Sequence, residues 1–162
     1  MTRTTGLVAC LLALCLCAPR GATANGEGEH GEQHVTLTPD KLKWEPNPVL
    51  PPGAKVALLS GNPTKAGELF ALRIQMPDGY KIPPHWHPTD ECVTVLRGEM
   101  LFGTGERFDA SVLKEAPAAS FTRMPRGMRH FAMAKGETVI QLHGIGPFEI
   151  HYVNPGDDPR QK

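Results

Sequence analysis

Three prolines within six residues, Pro83, Pro84 and Pro88, enclose two histidines in the segment Gly79-Tyr-Lys-Ile-Pro-Pro-His85-Trp-His87-Pro-Thr-Asp-Glu91 and forbid a helix there. The same restriction recurs along the chain. Seventeen glycines and sixteen prolines, about one residue in five of the 162, break helical runs repeatedly and favour short strands joined by turns. A helical bundle is therefore disfavoured. With 40% apolar and 21% charged residues the chain still has material for a core and does not read as disordered. Lys and Arg (17) balance Asp and Glu (17), so the basic footprint of a nucleic-acid binder is missing.

Residues 1–24 have the layout of a secretory signal. Arg3 precedes an apolar run from Gly6 to Ala18, and Pro19 and Arg20 lead to a small-residue site, Ala22-Thr23-Ala24. The run is shorter than the roughly 20 residues that span a bilayer. Cleavage after Ala24 would send the chain to a secreted or periplasmic location, slightly acidic and without a transmembrane segment. Leu7-Val8-Ala9-Cys10 also resembles a lipobox, but much of the apolar run follows Cys10. Of the four cysteines, Cys10, Cys15 and Cys17 lie in the signal, which leaves Cys92 alone and no disulfide framework.

Residues 25–45 read as a flexible Gly-, Glu- and His-rich leader. His30 and His34 stand at i, i+4, but Gly26, Gly28 and Gly31 argue against the helix that would pair them. Thr38-Pro39-Asp40 reads as a cap on one helical turn through about Leu42, with Trp44 docking the leader. Residues 46–162 form one domain. Nine strands are expected at Lys55–Ser60, Glu68–Met76, Ile82–His87, Glu91–Arg97, Glu99–Gly103, Ser120–Met124, His130–Ala134, Glu137–His143 and Phe148–Val153. That count without a long helix points to an all-β sandwich or barrel.

In an extended chain residues i and i+2 share a face, so His85 and His87 present their imidazoles side by side. A turn at Pro88-Thr89-Asp90 lets Glu91 open the next strand with its carboxylate toward the same space. Pro125-Arg-Gly-Met-Arg-His130 delivers a third imidazole onto a strand. Three imidazoles and a carboxylate suit one divalent transition metal ion, Fe, Mn, Ni, Cu or Zn, rather than Ca or Mg, and Fe or Mn is the ion expected. In an octahedral site two positions stay open for a substrate or dioxygen.

These residues resemble those of the cupins. The family's first motif, G-x5-H-x-H-x3,4-E-x6-G, is matched at Gly79, His85, His87, Glu91 and Gly98. The second, G-x5-P-x-G-x2-H-x3-N, is matched at Pro125, Gly127 and His130, with Ala119 and Ala134 at its ends instead of Gly and Asn. The resemblance covers roughly Leu50 to Pro155 and is strongest to small single-domain, RmlC-like cupins. It implies a jelly-roll β-barrel with a short N-terminal extension, a metal inside and commonly a homodimer.

Several other residues bear on function. His143 ends a strand whose Val139, Gln141 and His143 share one face and Ile140 and Leu142 the other. Should the first face line the barrel, His143 is the candidate acid or base and Gln141 a contact. Arg123, Arg126 and Arg129 flank His130 and could steer an anion toward the metal. Alternation turns Cys92 away from the metal face as a packed small residue and sends Trp86 to the opposite side of the sheet; His151 is a weaker site candidate. The leading functional expectation is a dioxygenase acting on a small oxygenated molecule. Redox-neutral decarboxylase, lyase or isomerase chemistry is the second, and a barrel that holds a small ligand or metal without catalysis the third.

Overall fold

Two strands far longer than the sequence suggests organise the molecule. The computed structural model describes Met1 and residues 34–161; the apolar run, the Ala22-Thr23-Ala24 site, Cys10 and His30 lie outside the described residues. Among the described residues nine strands run in chain order: β1 (Glu45–Pro46), β2 (Lys55–Ser60), β3 (Leu69–Met76), β4 (Lys81–Trp86), β5 (Glu91–Thr104), β6 (Lys114–Pro117), β7 (Phe121–Met124), β8 (His130–Ile145) and β9 (His151–Tyr152). All pairings are antiparallel, in the order β1-β2-β3-β8-β4-β9, with β5 pairing β6, β7 and β8. The sheet curls into a half-barrel, and the remaining regular structure is short 3-10 turns, one at Pro39–Lys41 where a turn is expected. No helix among the described residues is long and apolar enough to cross a membrane.

β5 and β8 each replace two expected strands. Gly98 and Gly136, read as breaks, adopt positive φ (74° and 72°) and bend their strands without ending the pairing. Register between β5 and β8 shifts at Val95–Arg97 and Arg97–Glu99, so Gly98 lies at a bulge. A Cβ there would stand 2.5 Å from the Glu137 carbonyl oxygen and 2.6 Å from Thr138 Oγ1, which only glycine avoids. β1 and β6 go unrecognised in sequence because Glu-Pro and Lys-Glu-Ala-Pro carry no apolar alternation and pair along one side only.

The inner face follows the period of two. Phe70, Leu72, Ile74 and Met76 of β3, Val93 and Val95 of β5, and Ile140 and Leu142 of β8 are buried, while the residues between them are half-exposed or exposed. Phe131 is buried outside this cluster, beneath Phe108 at 5.0 Å between ring centroids, in room left by Gly103. Ala119, standing where the cupin motif has glycine, holds φ 73°, and its N–H donates to the Val95 carbonyl at 2.8 Å. An alanine in that region carries roughly 1 kcal/mol of strain that glycine does not.

Opposite effects are therefore expected at two motif positions. Ala119→Gly should stabilise the fold by about 0.5–1 kcal/mol, whereas Gly98→Ala should destabilise it by about 2 kcal/mol or more. Urea midpoints at unchanged slope measure both.

Candidate metal centre

His85 ends the extended Pro83-Pro84 run in β4 and pairs in register with His130, the first residue of β8. His87 follows β4, and Glu91 is the first residue of β5. Strand alternation thus carries both histidines of the His-x-His pair inward, leaving Trp86 half-exposed and stacked on His151 at 4.3 Å. The four side chains are nearly inaccessible: His85 and His87 are 4% exposed, His130 3% and Glu91 6%. Ring centroids lie 5.0 Å apart for His85 and His87, 4.2 Å for His85 and His130, and 5.4 Å for His87 and His130. One ligand nitrogen from each ring falls within 4.8 Å of the others.

Which nitrogen faces inward is decided by the backbone. His85 Nδ1 lies 2.7 Å from the Pro83 carbonyl oxygen, His87 Nδ1 2.6 Å from that of Glu149, and His130 Nδ1 2.9 Å from that of Met128. A carbonyl oxygen can only accept, so each Nδ1 carries the proton and each neutral ring keeps its lone pair on Nε2. His87 Nε2 and Glu91 Oε2 are buried without a hydrogen-bond partner, 3.5 Å apart. Oε2 also sits 3.1 Å from His130 Nε2 without an aligned bond. Orphaned polar atoms of this kind are rare in a native interior, and a cation among them satisfies both. The residues present fit a divalent metal: His85, His87 and His130 could hold it through Nε2, with Glu91 as the fourth donor.

The electrostatics agree. Burial, with His130 and His87 nearby, pushes the His85 pKa down to about 3, and burial also lowers that of His87. At His130 burial opposes protonation, but the adjacent Glu91 carboxylate outweighs it and raises the pKa. Burial would raise the pKa of Glu91, yet His130 above all, then His87 and His85, hold it below its usual value. His130 and Glu91 thus each favour the charged form of the other, which marks this corner of the site as the place where positive charge is best accommodated.

The supporting contacts join the two motif loops. Gly127 N–H donates to the His87 carbonyl at 2.8 Å, and His87 stacks on Phe148 at 4.2 Å. Asp90, between the histidine pair and Glu91, accepts from Arg123 Nε at 3.1 Å and from the Arg126 backbone N–H at 2.9 Å. The three arginines do not line the cavity: the Arg123 side chain and the Arg126 backbone N–H clamp Asp90, and Arg129 pairs with Glu106 at 2.9 Å. A short polar residue in a Pro-Thr-Asp turn is the one sequence signal for that clamp. The Glu149 contact has no such signal, because the contributing atom belongs to the backbone.

His143 is not brought to the centre. The inward face of β8 carries Ile140 and Leu142, so Gln141 and His143 point outward; Gln141 accepts from Arg73 Nε at 3.2 Å, and His143 lies opposite Cys92 of β5. The sequence exposes the two faces of this strand but not which is interior, and the acid–base role considered for His143 was conditional on the face that the structure turns outward. Cys92 faces away from the histidines, as expected, and is half-buried. His151 is also outside, with Nε2 3.0 Å from Glu149 Oε2.

Beside the four polar groups a cavity of about 120 Å³ extends into the half-barrel, walled by aliphatic and aromatic side chains such as Leu72, Ile74, Ile140 and Phe148.

Residues 32–149 match the family described as the ChrR Cupin-like domain. No curated protein matches the sequence. Among solved structures, the polyketide cyclase RemF of Streptomyces resistomycificus is 18% identical with a TM-score of 0.62, over 80% of this chain and 92% of that one. A candidate acetylacetone dioxygenase of Methylibium petroleiphilum PM1 is 19% identical with a TM-score of 0.59, over 78% and 85%. A chain of the Rhodobacter sphaeroides complex of SigE with the anti-sigma ChrR is 19% identical with a TM-score of 0.50, over 66% and 50%. At such identities the likeness is one of fold.

Two outcomes follow from the geometry. Replacing His85 and His87 together by Ala should weaken metal binding roughly a thousandfold or more while circular dichroism stays β-rich. Because the His85 and His87 pKa values are already depressed and that of His130 is raised, only His130 should compete with metal for protons near neutrality. Affinity should then fall about tenfold per pH unit below the His130 pKa and level off above it. Chelator competition across pH measures the slope, and a dependence near three protons would contradict it.

Proposed function

The chain belongs to the ChrR cupin-like family, and on that premise we propose that it is a mononuclear metal-dependent enzyme of the dioxygenase type, acting on a small oxygenated organic molecule. The observation that carries this is the convergence of three Nε2 lone pairs and the unpartnered Glu91 carboxylate on a cavity with apolar walls. A bound Fe or Mn ion, or Ni, Cu or Zn, would supply open coordination positions where a substrate and dioxygen meet. The chain's own part is to present four donors, fix their tautomers from the backbone and keep water from the cavity.

One observation favours this over redox-neutral decarboxylase, lyase or isomerase chemistry. Those reactions need a positioned acid or base besides the metal donors. Among the described residues lining the cavity, only His85, His87, Glu91 and His130 titrate, and His143 lies on the outer face. Export after cleavage at Ala24 and assembly as a homodimer complete the proposal, the first resting on residues 1–24 and the second on the resemblance to small cupins.

Elemental analysis of the exported protein, purified without tag or added metal, is the first test, with about one equivalent of Fe or Mn expected per chain. An oxygen electrode then screens small oxygenated compounds, and consumption that His143→Ala leaves unchanged is the expected result. Turnover that proceeds equally without oxygen would transfer the function to the redox-neutral class. Ligand-induced thermal stabilisation without any turnover would leave a binding protein.

A further inference from the structure

We infer that the centre selects ligands carrying a single negative charge at the metal-binding end and a short aliphatic body, and that it rejects polyols and doubly charged acids. The inference rests on the metal-centre reading above and concerns the rest of the cavity. Besides the four donors, Asn47 is the one polar side chain among the described residues that lines it, and Asn47 Oδ1 already accepts the Val49 backbone N–H at 3.0 Å. The other walls are hydrocarbon, among them Val56, Leu72, Ile74, Ile140, Leu142 and Phe148.

Charge sets the first condition. A divalent ion, one carboxylate and three neutral imidazoles sum to a single positive charge in a region that solvent hardly reaches. Among the described residues no Lys, Arg, or second Asp or Glu lines the cavity. One ligand anion cancels that charge, whereas a second anion would be buried without a partner, and each unmatched hydroxyl would lose its hydration for nothing.

Size sets the second. About 120 Å³ is close to the engineered apolar cavities that admit a benzene-sized guest. One side is held by residues 47–52, of which Val49 and Leu50 line the cavity. Tyr152 donates its hydroxyl to the Val49 carbonyl at 2.8 Å and Tyr80 its hydroxyl to that of Pro51 at 2.5 Å. Two such anchors fix this wall, so a longer body gains no room by displacing it cheaply.

A series of straight-chain alkyl hydroxamates, monoanionic chelators, tests the inference without reference to turnover. The protein is loaded with one equivalent of Co(II), and binding is read from its visible absorption. Affinity should rise about fourfold per added methylene, until the body reaches roughly benzene's size, then stop rising. A hydroxamate of equal length ending in a carboxylate should bind at least about a hundredfold more weakly. Leu72→Ala should shift the length optimum to a longer chain at unchanged Co(II) stoichiometry. Affinity independent of length, or equal binding of the carboxylate-ended probe, would overturn this inference while leaving the metal centre standing. Failure to bind Co(II) at all would overturn both.

Discussion

Three backbone carbonyls, those of Pro83, Glu149 and Met128, govern the chemistry of this protein by each accepting the Nδ1–H of a histidine. An imidazole has two nitrogens and no intrinsic preference strong enough to orient it in a buried site. A carbonyl at one edge removes the ambiguity and turns the lone pair to the other edge. Repeated on three rings, the device gives three Nε2 atoms facing one another beside a carboxylate, an arrangement with no internal hydrogen-bond solution. Apart from Asn47, the rest of the cavity lining among the described residues is apolar, so a cation and a largely apolar guest are what it can accommodate.

The carbonyls are correctly placed only because distant segments are held against one another. Pro83 lies two residues before His85, and Met128 two before His130, so those two contacts are local. Glu149 is brought to His87 by the chain that leaves β8, with Phe148 stacked on the same ring. Asp90 ties the β4–β5 turn to the loop before β8, and the Gly127 N–H to His87 carbonyl bond ties it again. The bends at Gly98 and Gly136 let β5 and β8 each serve both halves of the sheet, so Glu91 and His130 open strands that pair with each other farther along.

Much of this was legible from residue types and spacing. Prolines around His85 and His87 dictate extended chain, and the period of two then places both rings on one face. The interior faces of β3 and β5 follow from alternation alone. Gly98 and Gly136 were visible as irregularities, but a glycine in an extended run signals a bend and a break equally, and pairing across the sheet is what distinguishes them. β6 was invisible because an edge strand with polar residues buries no stripe. His143 shows the limit best: alternation divides β8 into two faces, yet the choice between them depends on which side β3 and β5 curl around.

By itself the sequence determined that the chain is all-β and that His85 and His87 share a face, because steric restriction and strand periodicity act over a few residues; the resemblance to the cupin motifs is what joined Glu91 and His130 to that pair and marked Gly98. Only the tertiary structure decided which ring nitrogen faces inward, that Arg123 and Arg126 clamp Asp90 instead of lining the site, that His143 lies outside, and that the cavity walls are apolar. The Pro83 and Met128 carbonyls apart, those outcomes depend on groups from distant parts of the chain, 33, 36 and 62 residues away for the Asp90 clamp and the Glu149 carbonyl, and local spacing does not encode which of them meet.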